Sequence, residues 1–372
     1  MWGMNPRAWL ACVLLPVTVQ AQDCPAPGWL RLDGERPAAV APGALIADMA
    51  GRDVVLLGEH HDQADHHRWQ LHTLAALHVQ RPRMVLGFEA FPRRVQPVLD
   101  KWVAGSLTAA QFLAEVKWEE VWNLPAELYL PLFEFARLHR IPMVALNVER
   151  KLTEAVAAKG WDAVPEAERE GVSRPAPAPK AYFDELARIH KEHKGEVPLA
   201  NFVQAQQTWD RAMAQALAPH ASGALAVGII GSGHLRHGYG VPLQLRDLGV
   251  KRVGTLLPVE RSRCKDAVAG LADAVFVLPE RAPVKLPPPR LGVQLEQAGD
   301  AVRLAEVTPG SLAERSGLRK GDVVTAAAGK PVRRMGELIA VVRAQPDGTW
   351  LPLQVRRAAE IQELVVKFPP AQ

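Results

Sequence analysis

Five polar residues stand directly behind short apolar runs. They are Glu59 and His61 in Gly58-Glu59-His60-His61-Asp62, then Glu89, Asn147, and His234 in Gly231-Ser232-Gly233-His234. Two carboxylates and two imidazoles suit a divalent metal site, or a general base with a positioned acid. In the first role His61, His234, Glu59 and Glu89 are the candidate ligands. In the second, Glu59 and Glu89 are the candidate catalytic carboxylates. Their spacing makes no recognised zinc motif. Each residue alone has a plainer explanation, because a Glu at a strand end caps the next helix and a His after Gly-x-Gly marks a tight turn. Their recurrence at one place behind four runs is what points to a site.

The runs that must position them are 53–58 (DVVLLG), 84–88 (MVLGF), 141–146 (IPMVAL), 224–230 (ALAVGII) and 251–257 (KRVGTLL). Four lack polar alternation, which suits strands buried on both faces. Helical patterns at 63–79, 126–139 and 203–217 lie between them. Strand followed by helix, repeated, predicts an α/β fold: a mixed, largely parallel sheet flanked by helices. Sites in such sheets form at the carboxyl ends of the strands. If the strands are parallel neighbours, Glu59, His61, Glu89, Asn147 and His234 converge on one cleft. Six of the 12 histidines fall between His60 and His78. On a helix, His67, Leu71, Leu74 and His78 share a face, and His66 and His72 are expected to be solvated.

The chain has 372 residues, 48% hydrophobic and 23% charged, too long for one ordinary domain and too apolar for a disordered one. Its net charge of +4 is spread without a basic run, which argues against nucleic-acid binding. Arg7, an apolar run from Ala8 to Val19, and Val19-Gln20-Ala21 read as a signal peptide over residues 1–21. The run is too short to span a bilayer, which needs roughly 20 apolar residues. The expectation is an exported, periplasmic protein. Neither Leu10-Ala11-Cys12 nor Gln22-Asp23-Cys24 forms a convincing lipobox, so a lipid anchor is not favoured. Cys24 and Cys264 could pair in an oxidising compartment or stay as free thiols.

A proline-dense stretch at 283–289 (PVKLPPP) reads as an extended spacer, with the linker taken as 282–289. It separates a large domain, 22–281, from a small β-rich one, 290–368. A second proline patch, 174–180 (RPAPAPK), reads as a surface loop between helices. In the C-terminal segment Leu291-Gly292-Val293, the run PGSLAERSGLRKGDVV, and a helix near 335–343 fall in order. This segment resembles a PDZ domain of the bacterial protease-associated kind. The resemblance implies that Leu291, Gly292 and Val293 hold the end of a protein or peptide partner, added as an extra strand. Thr325-Ala326-Ala327-Ala328-Gly329-Lys330 departs from the usual apolar-Asn-Gly turn.

The large domain also carries a resemblance, in LLGEHHDQADHH, VLGFEAF, ELYLPLFEFARLHRIPMVALNV and GIIGSGHLRHGYGVP. Together they resemble the Tiki/TraB/erythromycin-esterase superfamily and, within it, the ChaN cofacial-haem-binding family, over about residues 53–257. The resemblance implies haem as cofactor, a role in iron acquisition outside the cytoplasm, and a homodimer around a stacked haem pair. It implies a tyrosinate ligand, a hard anion suited to ferric iron. Tyr129 matches the family's tyrosine-proline motif; Tyr239, beside His234 and His237, is the second candidate. Trp118 and Trp122 could wall a porphyrin. Two functions follow: an exported haem-binding protein whose PDZ domain recruits a partner, or a metal-dependent hydrolase, protease or esterase, built on Glu59, His61, Glu89 and His234.

Overall fold

The computed structural model describes residues 27–192, 197–280 and 290–370. The proposed signal peptide, Cys24 and the linker 282–289 lie outside the described residues. The chain divides into two compact units, Met1–Glu280 and Arg281–Gln372.

The first unit holds eight strands: β1 (Gly28–Arg31), β2 (Ala38–Val40), β3 (Val54–Glu59), β4 (Met84–Pro92), β5 (Met143–Asn147), β6 (Leu225–Gly231), β7 (Val253–Glu260) and β8 (Ala274–Leu278). They form one sheet in the order β2-β1-β8-β7-β3-β6-β4-β5. Every pair from β8 to β5 is parallel, and β1 joins β8 and β2 antiparallel. This is the expected mixed, largely parallel sheet. The five foreseen strands sit within a few residues of their runs. Strands β1, β2 and β8 are additional, short segments that carry little periodicity of their own.

Alternation explains why both faces are buried. Val55 and Leu57 of β3 join the core layer that holds Leu74, Leu77 and Phe133. Val54 and Leu56 point the other way, into the layer with Met213, Leu217 and Leu245. Continuing the period of two places Glu59 toward the first layer, over helix Ala64–Gln80. In β4, Phe88 and Ala90 belong to that first layer, so Glu89 faces the second, over helix Leu199–Leu217. One residue of register thus sends the two carboxylates to opposite helices.

The proline patch at 174–180 is the expected surface loop leading into helix Lys180–Glu192, pinned at the buried Ala176. Extended proline-rich backbone has no hydrogen bonds of its own. Here Gln207 and Gln244 donate to the Ala176 carbonyl at 2.7 and 3.0 Å, and Gln244 accepts from the Ala176 N–H. Cys264 is buried and disulfide-bonded. Among the described residues no helix is long and apolar enough to cross a membrane.

The second unit comprises β9 (Val293–Gln297), β10 (Val302–Val307), β11 (Val323–Ala327), β12 (Lys330–Pro331), β13 (Trp350–Arg357) and β14 (Glu360–Lys367). The order is β14-β13-β11-β10-β9, all antiparallel, with β12 on β11 and β9 at an edge. Ala328 and Gly329 close the β11–β12 hairpin, both at positive φ (48° and 76°). Ala328 carries a Cβ in the left-handed region, which costs roughly 1–2 kcal/mol. Ala328→Gly is therefore expected to stabilise this unit by about 0.5–1 kcal/mol. Denaturant unfolding of the two chains checks it.

Candidate functional site

The carboxyl ends of β3, β6 and β4 lie side by side, with Glu59 in register with Gly231. Above them is a cleft of about 700 Å³ lined by Glu59, His60, His61, Asp62, Glu89, Trp122, Leu124, Trp209 and residues 231–234. The parallel order brings Glu59, His61, Glu89 and His234 together, as the sequence expectation required. Asn147 does not enter the cleft. Its amide donates to the Glu89 carbonyl at 2.9 Å and so fixes the backbone that carries the carboxylate.

Glu89 stands at the centre. Its Oε2 accepts from the Gly231 N–H at 2.6 Å, while its buried Oε1 makes no hydrogen bond among the described residues. That free oxygen lies 3.6 Å from His234 Nε2 and 4.0 Å from His61 Nε2. The absent side chain of Gly231 leaves room for the His61 ring, since a Cβ there would meet His61 Cε1 at 2.8 Å in its present position.

Each of the two imidazoles is backed by its own carboxylate, and each carboxylate by a tyrosine. His61 Nδ1 lies 2.7 Å from Glu59 Oε1, which also accepts the Tyr129 hydroxyl at 2.6 Å. His234 Nδ1 lies 2.6 Å from Asp210 Oδ1, whose other oxygen accepts the Tyr182 hydroxyl at 2.8 Å. Bonding of Nδ1 to a carboxylate turns Nε2 toward Glu89, the orienting device common behind working histidines.

A third imidazole, His67, is buried beside Glu59. Its Nδ1 faces Glu59 Oε2 at 3.3 Å and Gln70 Oε1 at 3.2 Å, and its Nε2 faces the His61 carbonyl at 3.0 Å. Acceptors on both ring nitrogens call for the doubly protonated form. Burial alone would lower the His67 pKa, but the Glu59 hydrogen bond and charge outweigh it and raise it. Burial likewise opposes ionisation of Glu59, yet His61 and His67 hold its carboxyl far below the usual range. His61 and His234 are also raised, because Glu59, Glu89 and Asp210 outweigh their burial.

Tyr129, expected to offer iron a phenolate, is 1% exposed and does not line the cleft. Burial and the Glu59 charge push its hydroxyl well above the ordinary tyrosine range. A proton shared with a neighbouring carboxylate is the opposite of what a tyrosinate ligand needs. In this arrangement Tyr129 is a partner of Glu59. Tyr239 and His237 do not reach the cleft either. The left-handed turn at His237 (φ 57°) and Gly238 leads the chain away, and Tyr239 packs between Tyr182 and His237. Trp118 is buried in the core against Phe91 and Phe133, whereas Trp122 lines the cleft, edge-on to His61 at 4.8 Å. His66 is not solvated: it is buried, with Nε2 3.1 Å from Glu260. His72 is exposed as expected.

Sequence reasoning missed Asp210, Tyr182, Gln206 and Trp209, all carried by helices. A signal for Asp210 existed. It recurs with Val203, Met213 and Leu217 along the buried stripe of one helix, and a charge on a core face demands a partner.

Among the described residues, no group of three His, Cys, Asp or Glu stands ready to hold a metal ion. A metal would need both Nε2 atoms to close on Glu89 Oε1. For haem the fit is better: the cleft is roomy, and two indoles and the imidazoles of His60, His61 and His234 line it.

Comparison with known proteins adds the following. The family model for haem-binding uptake, Tiki superfamily, ChaN matches residues 45–245, and a PDZ model matches 289–368. A solved structure of cofacial haem binding to ChaN of Campylobacter jejuni is 19% identical, with a TM-score of 0.51, over 67% of this chain and 96% of that one. That likeness concerns the fold. A Ralstonia nicotianae protein named as a zinc metalloprotease is 40% identical over 78 residues, 18% of this chain. The magnetosome formation protease MamE of Magnetospirillum gryphiswaldense is 34% identical over 83 residues, 22% of this chain. The chain spans 17% and 11% of the lengths of these two relatives.

Proposed function

Because this chain belongs to the Tiki-superfamily haem-binding-uptake family of ChaN, with a PDZ domain attached, we propose that it is an exported, periplasmic haem-binding protein of iron uptake. The observation that carries this is the aromatic, imidazole-lined cleft at the ends of β3, β6 and β4. Haem there would lie against Trp122 and Trp209, and His61 would hold the iron through Nε2 once that nitrogen has given up its proton. Bound haem supplies the ferric centre; the chain's own part is to orient that imidazole through Glu59 and to keep the rest of the polar cluster dry. The PDZ unit recruits a protein partner by its C-terminus.

Titration of the chain with ferric haemin, followed by absorbance, tests this. The wild type is expected to give a saturable shift that survives Tyr129→Phe and is lost in His61→Ala. Loss in Tyr129→Phe, with tyrosinate-type bands in the wild type, would move the ligand to the phenol and keep the function. No saturable shift in the wild type would sink haem binding.

One observation favours a second reading. A buried, hydrogen-bond-free Glu89 oxygen between two carboxylate-backed imidazoles is an arrangement suited to metal-assisted hydrolysis. In that reading His61 and His234 would hold the metal with one carboxylate, and the other carboxylate would accept a proton from water. Glu89→Gln that leaves metal content and every hydrolytic activity intact rules it out.

A further inference from the structure

We infer that two copies of this chain pair through β14, a free edge of the smaller unit, in one antiparallel register. β14 stands at the end of the sheet opposite β9. Its ladder to β13 runs the whole length of the strand, from Arg357 opposite Glu360 to Trp350 opposite Lys367. Backbone groups along a strand alternate in direction, so half of those in β14 point away from β13. Apart from that ladder, no backbone group of residues 360–367 has a hydrogen bond among the described residues. An open edge of 8 residues is a template for a further strand.

The side chains give this edge apolar surface on both faces. Val366 is buried in the core of the unit, and Leu364 packs against that core on the same face. On the other face Ile361 is 63% exposed and Val365 42%. Pro352 and Trp350 of β13 share that face, opposite Val365 and Lys367, and Trp350 is 65% exposed. Strands that stay single guard such an edge with charge. Here the outward charges are Glu363 and Lys367, and Lys367 Nζ lies over the Trp350 ring at 4.8 Å. Neither has an ion-pair partner among the described residues, which leaves both open to a second chain.

Those two charges choose the partner and the register. β14 complements itself when a second copy lies antiparallel with Val365 opposite Val365. Glu363 of each copy then faces Lys367 of the other, once on either side of the twofold axis. The row across the axis is apolar throughout: Pro352 and Val365 of one copy, then Val365 and Pro352 of the other. On the inner face Leu364 of each copy meets Val366 of the other, so the two cores adjoin. Neighbouring registers lose this match. Centring the pair on Glu363 sets two carboxylates against each other, and centring it on Leu364 puts Glu363 against Val365 and Lys367 against Ile361. A pair centred on Val366 sets Lys367 against Val365.

Sedimentation velocity of the haem-free full chain tests this. The wild type is expected to shift from monomer toward dimer over about a hundredfold range of concentration. Glu363→Lys and Lys367→Glu each set like charges opposite one another on both sides of the axis. Each is expected to weaken the dimer by about tenfold or more, with circular dichroism unchanged. Mixed in equal amounts, the two variants bring opposite charges together again and are expected to associate as the wild type does. Val365→Lys, at an exposed position, is expected to abolish pairing. A wild type that stays monomeric overturns the inference. So does a dimer that persists in all three variants, because its contact lies elsewhere. Single variants whose mixture stays monomeric overturn the register and the inference with it.

Discussion

Glu59→Ala is expected to lower the unfolding free energy of the larger unit by about 3–5 kcal/mol, the usual cost of removing one partner from a buried ion pair. Three groups lose their partner at once: the Tyr129 hydroxyl and His61 Nδ1 lose their acceptor, and the buried His67 loses its counter-charge. Of these His67 matters most, because its other contacts are neutral carbonyl and amide oxygens that cannot replace the charge. Tyr129→Phe should cost less, about 1.5–3 kcal/mol for one hydrogen bond to a charged group. The pH dependence has a definite sign. The depressed Glu59 carboxyl contributes stability above its unfolded pKa of 4.5 and loses it as pH falls through the folded value. The raised His67 contributes below its unfolded pKa of 6.5 and loses it as pH rises through the folded value. The gap between wild type and Glu59→Ala should therefore be widest between those two values and narrow on either side. Guanidinium unfolding across a pH series measures it, and a flat gap would contradict the pairing.

Gly231→Ala should weaken ferric haemin binding by about 10–100-fold, the range seen when a metal ligand loses its support, while the fold survives. The backbone at Gly231 (φ −56°) is one any residue adopts, so no strain arises there. A methyl group would instead press on His61 Cε1 and Nε2 at 2.8 and 3.0 Å. That ring is 37% exposed and can swing outward, which relieves the clash and breaks its bond to Glu59. Gly233→Ala, where a Cβ meets nothing within 4 Å, is the matched control and should bind like the wild type. Equal haemin affinity for all three chains, with circular dichroism unchanged, would remove His61 from the site.

Much of this arrangement is written locally. Uniformly apolar runs have to be strands covered on both faces, and polar residues at their ends have to lie at the sheet's carboxyl edge. That reasoning reaches Glu59, Glu89 and His234 from the order of residues alone. It also reaches the small unit, because a loop, a turn and a helix at set spacing are short-range features. The longer span of β4, through Pro92, was not legible. The ladder to β5 is interrupted after Phe88 and resumes at Pro92 opposite Asn147, an irregularity that only the neighbouring strand defines.

Tyrosine shows the limit of motif reading. Tyr129 precedes Leu130-Pro131 at a helix start, and its type suits an iron ligand. Whether its hydroxyl meets iron or a carboxylate depends on Glu59, 70 residues away. Tyr182 makes the same bond to Asp210 across 28 residues. Neither pairing leaves a trace in local periodicity.

The sequence by itself determined the five central strands, the end of the sheet at which chemistry gathers, and the residue types placed there. Those follow from side-chain period and burial, which act over a few residues. The tertiary structure decided the roles. Helices that cross opposite faces of the sheet bring Glu59 to His61, His67 and Tyr129, and Asp210 to His234 and Tyr182. Those contacts set which imidazoles carry charge, which hydroxyls stay protonated, and which carboxylate oxygen of Glu89 is left free. The reason is physical: charge and proton placement depend on distances of a few ångströms between residues far apart in the chain, and folding alone sets those distances.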